Sequence, residues 1–106
     1  MKHIDTEAQF NEIIQSEKPV IIKFFADWCP DCKRMNMFIG DVMEDFDSYE
    51  WYEINTDEVE GIGEKYDVMG IPSILVFQKG EKIGHQHSAD TKTPESVSSF
   101  LEQQLA

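Results

Sequence analysis

Trp28-Cys29-Pro30-Asp31-Cys32-Lys33 decides how this chain is read. Before it, Val20 to Ala26 is β-branched, aromatic and nearly continuously apolar, as expected of a central strand covered on both faces. After it, Met35, Phe38, Ile39, Val42, Met43 and Phe46 recur at helical spacing, which predicts a helix over 33–46 with a core-facing stripe. The two thiols therefore sit at a strand-to-helix junction, Cys29 just outside the helix and Cys32 in its first turn. Unpaired backbone N–H groups and the positive end of a helix dipole stabilise a thiolate at such a place.

The rest of the composition narrows the classes. A chain of 106 residues fits a single domain, expected to span 1–106 because no repeat, low-complexity tract or linker divides it. Apolar residues make up 41%, too many for a disordered acidic chain. The net charge of −12 argues against nucleic acid or an anionic membrane as partner, since both would repel it. Met1-Lys2-His3-Ile4-Asp5 has no apolar signal-like core, so a cytoplasmic protein is expected; a monomer is expected as well. In a reducing compartment, two neighbouring cysteines point to catalysis or metal binding sooner than to a static staple.

Outward from the cysteines, local signals set the remaining elements. Thr6 and Gln9 match a capping box, and Phe10, Ile13 and Ile14 line one face of a helix that ends before Lys18-Pro19. Tyr49 to Asn55 reads as a strand, with Tyr52 and Ile54 on one face and Trp51 and Glu53 on the other. Glu58 to Tyr66 reads as a short helix interrupted by glycine. Ser73 to Gln78 and Glu81 to Ser88 read as an antiparallel hairpin about Lys79-Gly80. Thr93 as N-cap and Pro94 at the first helical position open a last helix facing inward through Val97, Phe100, Leu101 and Leu105. Strands alternating with helices and ending in a hairpin predict an α/β sandwich around a mixed sheet.

Taken together, Phe24-Phe25-Ala26-Asp27-Trp28-Cys29-Pro30-Asp31-Cys32-Lys33, Val68-Met69-Gly70-Ile71-Pro72-Ser73 and the hairpin Gly80 resemble the thioredoxin family over nearly the whole chain. The resemblance implies a thioredoxin fold, a three-layer sandwich with a central mixed β-sheet flanked by helices. It also implies a cis Pro72 facing the cysteines, with the backbone of Ile71 pairing with an extended substrate and Trp28 beside the site.

Several positions depart from the family pattern. Pro30-Asp31 replaces the usual Gly-Pro between the thiols, and Asp31 puts a carboxylate beside them. The helix terminus, Lys33 and Arg34 act the other way. Met37 stands where the family usually has a helix-kinking proline, so a straighter helix is expected, and Ser88 stands where a glycine usually borders the groove. Lys23 occupies the position of the family's buried carboxylate, and Glu53 that of a lysine on the adjacent strand. A charge-swapped Lys23–Glu53 pair follows, since a buried lysine without a partner is costly, and Glu53 then inherits a proton-transfer role.

These residues predict a protein-disulfide reductase without a bound cofactor, cycling between dithiol and Cys29–Cys32 disulfide. Cys29, expected exposed, attacks the substrate and Cys32 resolves. Substrates are disulfides of proteins or small thiols, and a recycling reductase such as a thioredoxin reductase restores the dithiol. Potentials of Cys-x-x-Cys proteins differ by ~150 mV, roughly 7 kcal/mol for two electrons, and a cytosolic chain fits the reducing end. Two rival readings are a noncatalytic interaction module and a metal-binding module holding an ion with Cys29, Cys32, His85 and His87. The hairpin position of the histidines, across the sheet from the thiols, speaks against a metal.

Overall fold

The computed structural model describes residues 1–105. Its elements run β1 (Lys2–Ile4), α1 (Glu7–Ile13), β2 (Val20–Phe25), α2 (Pro30–Asn36), α3 (Ile39–Asp45), β3 (Glu50–Asn55), α4 (Ile62–Lys65), β4 (Ser73–Gln78), β5 (Glu81–Gln86) and α5 (Pro94–Leu105). The strands form one mixed sheet in the order β1-β3-β2-β4-β5. β1 and β2 flank β3 in parallel, while β4 and β5 run antiparallel to their neighbours.

Alternation along β2 and β4 divides the core into two layers. Val20, Ile22, Phe24, Leu75 and Phe77 face α1 and α4, where they meet Phe10, Ile14, Val59 and Ile62. Phe10 packs edge-on against Phe24 and Phe77, with ring centroids 6.2 and 5.4 Å apart. On the opposite face Ile21, Trp51, Ile74 and Val76 meet Met35, Ile39 and Val42 and then Val97 and Leu101 of α5. Each fully buried aliphatic or aromatic side chain stabilises this arrangement by about 1.5–3 kcal/mol. The three-layer sandwich read from the sequence is the observed fold.

The predicted caps form. Thr6 Oγ1 accepts the Gln9 N–H at 3.1 Å while Gln9 Oε1 accepts the Asp5 N–H at 2.8 Å, a reciprocal box opening α1. Thr93 Oγ1 accepts the Ser96 N–H at 3.2 Å, one residue before Pro94 starts α5. Lys79 and Gly80 both have positive φ, 53° and 84°, the backbone that a two-residue hairpin turn demands.

Two expectations need correction, and one strand was not foreseen. The helix over 33–46 is two helices, although no proline interrupts it. The N–H groups of Met37 and Phe38 bond three residues back, to the carbonyls of Arg34 and Met35. This tightening turns Phe38 toward the second core layer and leaves Met37 87% exposed, so Met35, Ile39 and Val42 all stay against the sheet. The helix over 58–66 shrinks to Ile62–Lys65, because Gly61 enters it at φ 89°. Finally, β1 carries no period in sequence; three residues are too few, and its strand character comes from pairing with β3.

Candidate active site

Cys29 caps α2, with Pro30 in its first turn. Its Sγ accepts the Cys32 backbone N–H at 3.1 Å, which satisfies one of the unpaired donors of the helix start. The same sulfur donates to the Ile71 carbonyl at 3.6 Å, across the Ile71–Pro72 peptide bond, which is cis as the resemblance implied. Both cysteines are free. The expectation of an exposed Cys29 fails, since only 3% of it is accessible, and Pro30 and Ile71 line the groove beside it. Cys32 is buried with Ala26 behind it, and burial, followed by the proximity of Cys29, pushes its thiol up to about 12.

Behind the thiols, Lys23 is 3% exposed and its Nζ lies 3.8 Å from Glu53 Oε1. The charge-swapped pair therefore forms. A second partner was not foreseen: Asn36 Oδ1, from the last turn of α2, accepts a hydrogen bond from Nζ at 2.8 Å. The ammonium also lies 5.2 Å from the centre of the Phe25 ring. Burial lowers the Lys23 pKa, and the charge of Glu53 and the Cys32 thiol oppose that shift. Glu53 reaches further, placing Oε2 3.2 Å from Nδ1 of His3.

In front of the thiols lies a groove of about 750 Å³, walled by Trp28, Cys29 and Pro30 on one side and by Val68 to Ile71 on the other. Trp28 is 66% exposed and donates its indole N–H to Asp57 at 2.9 Å, so it is a groove wall and not a core aromatic. Asp31 is not a free charge beside the sulfur. Lys92 approaches it at 2.7 Å and Arg34 at 3.4 Å, and Lys92 chiefly holds its carboxyl below the usual range. Glu60 and Glu64 line the groove and make no ion pair among the described residues. Ser88 does not line it; its hydroxyl lies against Gly70, where a side chain would collide.

Pro72 is buried beneath the groove, and its carbonyl accepts from Thr91 Oγ1 at 3.3 Å. The metal-binding constellation does not assemble: His85 and His87 stack on each other with ring centres 3.9 Å apart, and among the described residues they do not converge with the thiols. Burial, with the Lys82 charge, pushes His85 down to about 4. Sequence reasoning missed Asn36, Lys92, Asp57 and His3. Each meets its partner across a long sequence separation, so only a three-dimensional arrangement links them.

Comparison with known proteins agrees with this geometry. The family described as Thioredoxin matches residues 1–103. A thioredoxin of Mycoplasmoides gallisepticum is 28% identical over 81 residues, covering 76% of this chain and 81% of that protein. The rabbit (Oryctolagus cuniculus) thioredoxin is 29% identical over 99 residues, covering 92% and 94%. The solved structure of Plasmodium falciparum thioredoxin superposes with a TM-score of 0.86 at 24% identity, over 97% of this chain and 98% of that one. With its paired thiols at the start of α2, facing Ile71 across a groove, the chain belongs to the thioredoxin family of thiol–disulfide oxidoreductases.

Proposed function

We propose that residues 1–106 act as a single thioredoxin-like domain that reduces disulfides through Cys29 and Cys32, with no bound cofactor. The Cys29 thiolate attacks one sulfur of a substrate disulfide; a Cys29–substrate bond forms and the other sulfur leaves as thiolate, taking up a proton. Cys32 then loses its proton and attacks the Cys29 sulfur. The mixed disulfide breaks, the Cys29–Cys32 bond forms, and the second substrate sulfur leaves with a proton. Two electrons have passed to the substrate, and a reductase of the thioredoxin reductase type restores the dithiol.

The observation that carries this reading is the position of Cys29 Sγ, held by the Cys32 amide and facing the Ile71 carbonyl at the wall of an open groove. A substrate strand laid along Ile71 and Pro72 would present its disulfide to that sulfur, by strand-like pairing. Trp28 would hold the opposite side. Glu60 and Glu64, without ion pairs among the described residues, favour disulfides flanked by basic residues over glutathione, whose own carboxylates they repel. Lys23 and Glu53 tune the proton of Cys32 from behind, while Asp31, held by Lys92 and Arg34, sets the charge in front.

A reducing, cytoplasmic setting and a monomeric state complete the proposal. No described helix is long and apolar enough to cross a membrane. Relatives include mitochondrial and chloroplast proteins, and a chain with two neighbouring cysteines suits a reducing compartment.

The test is reduction of a protein disulfide coupled to a thioredoxin reductase, with Cys29→Ser and Cys32→Ser as controls. Turnover lost in both variants, with Cys32→Ser trapping a mixed disulfide, is the expected result. Turnover that survives in Cys29→Ser, or wild-type protein that forms no Cys29–Cys32 bond on mild oxidation, overturns the reading.

A further inference from the structure

Three polar side chains stand at one level across three adjacent strands. His3 of β1 pairs in register with Glu53 of β3, and Glu53 pairs with Lys23 of β2. Register partners face the same side of a sheet, so the three form a row from behind Cys32 to the protein surface. Glu53 is divided between its neighbours: Oε1 lies 3.8 Å from Lys23 Nζ and Oε2 3.2 Å from His3 Nδ1. The other imidazole nitrogen of His3 lies 2.9 Å from Glu58 Oε1 and 3.7 Å from Asp5 Oδ1.

The charges facing each member are few. His3 meets Glu53 from β3, Glu58 from the segment after it and Asp5 from its own, while β2 brings the Phe25 ring, its centre 6.1 Å from that of the imidazole, and Lys23 on the far side of Glu53. Lys23 meets Glu53 and the Cys32 thiol, and α2 contributes the neutral Asn36. Glu58 and Glu53 together favour the imidazolium, so His3 keeps its proton to higher pH than an ordinary histidine. A charged His3 competes with Lys23 for Glu53. A neutral His3 competes far less, and the carboxylate then neutralises Lys23 more fully.

We propose that His3 is a positioning residue of the redox centre: its protonation sets how far Glu53 neutralises Lys23, and so how readily Cys32 ionises to resolve the mixed disulfide. The proposal rests on the oxidoreductase reading above, in which Cys32 is the resolving thiol. Ionisation of Cys32 is favoured while His3 is charged, because the ammonium behind the thiol is then least neutralised. The coupling passes through Glu53, so a variant there cuts it without touching β1.

The test follows the Cys32 13Cβ resonance and the His3 ring of the reduced protein by NMR across the pH range. In wild type, Cys32 shows a small inflection where His3 titrates, ahead of its own ionisation. In His3→Gln that inflection is lost, and below the His3 transition the mixed disulfide resolves about threefold more slowly, the size expected of a screened charge acting through one neighbour. Glu53→Gln, in which His3 still titrates, also loses the inflection. An inflection that persists in either variant, or a wild-type Cys32 curve blind to the His3 transition, overturns the proposal. Those outcomes bear on the coupling alone, read in the Cys32 resonance, whereas turnover surviving in Cys29→Ser would overturn the oxidoreductase reading itself.

Discussion

Lys23 Nζ and Glu53 Oε1 lie 3.8 Å apart across the β2–β3 ladder, behind Cys32. Removing the glutamate is expected to cost more than removing the lysine. Glu53→Gln leaves a buried ammonium with one amide acceptor, and because Glu53 is partly exposed the loss should be about 1–2 kcal/mol, less than for a fully buried pair. Lys23→Met removes the desolvated charge, and Glu53, partly exposed, keeps His3 as a partner, so this variant should lose less. Urea denaturation of both variants checks this. A larger loss in Lys23→Met than in Glu53→Gln would falsify the account of the pair.

Cys32 should make the reduced protein lose stability in alkali. Its ordinary pKa of 9.0 is raised to about 12 by folding. Between those values the unfolded chain has given up a proton that the folded chain keeps, so the contribution is complete below pH 9 and falls as pH rises toward 12. The slope approaches about 1.4 kcal/mol per pH unit. Lys23, whose folded pKa is lowered, acts in the opposite sense up to its ordinary 10.5, so the decline in wild type is shallower than Cys32 alone would give. Denaturation midpoints from pH 8 upward should fall more steeply in Lys23→Met and flatten or rise in Cys32→Ser.

Lys92 should matter to thiol reactivity although it is far from Cys29 in sequence. It holds Asp31 at 2.7 Å, and Lys92→Ala frees a carboxylate beside Cys29. Alkylation of Cys29 near neutral pH is then expected to slow by about threefold, while Asp31→Asn, which leaves Lys92 and Arg34 unopposed, accelerates it by a similar factor. Salt should shrink both effects, since the pair is exposed. Equal rates in the two variants would remove Asp31 from the tuning residues.

Charge in the groove predicts a substrate preference that depends on ionic strength. Peptide disulfides with flanking lysines should be reduced faster at low salt than peptides with flanking glutamates, and the ratio should collapse toward one in high salt. Glu60→Lys with Glu64→Lys should reverse the preference, because these two line the groove without ion-pair partners among the described residues. Steady-state kinetics with the two peptide sets decide it. An unchanged preference in the double variant counts against a role for these carboxylates.

Local chemistry was readable from sequence, and the links across the sheet were only partly so. The capping box at Thr6, the hairpin at Lys79-Gly80 and the cap at Thr93 each depend on a few adjacent residues, and all three form. Lys23–Glu53 was accessible through the family resemblance, which aligned two strands that local patterns alone do not pair. The broken helix at Met37 was not accessible, since the phase change preserves the apolar period on both sides. His3 stayed hidden for a related reason: β1 is too short to announce itself, and its role arises only from the register with β3.

The contact between Cys29 and Ile71 has one more consequence. In the resting dithiol the Ile71 carbonyl is already engaged by the Cys29 proton. A thiolate has no proton to give, so ionisation keeps the bond from the Cys32 amide and releases the carbonyl. Loss of one proton thus arms the nucleophile and vacates the acceptor that an incoming backbone N–H would use. The unreactive form of the sulfur is the form that keeps the berth occupied.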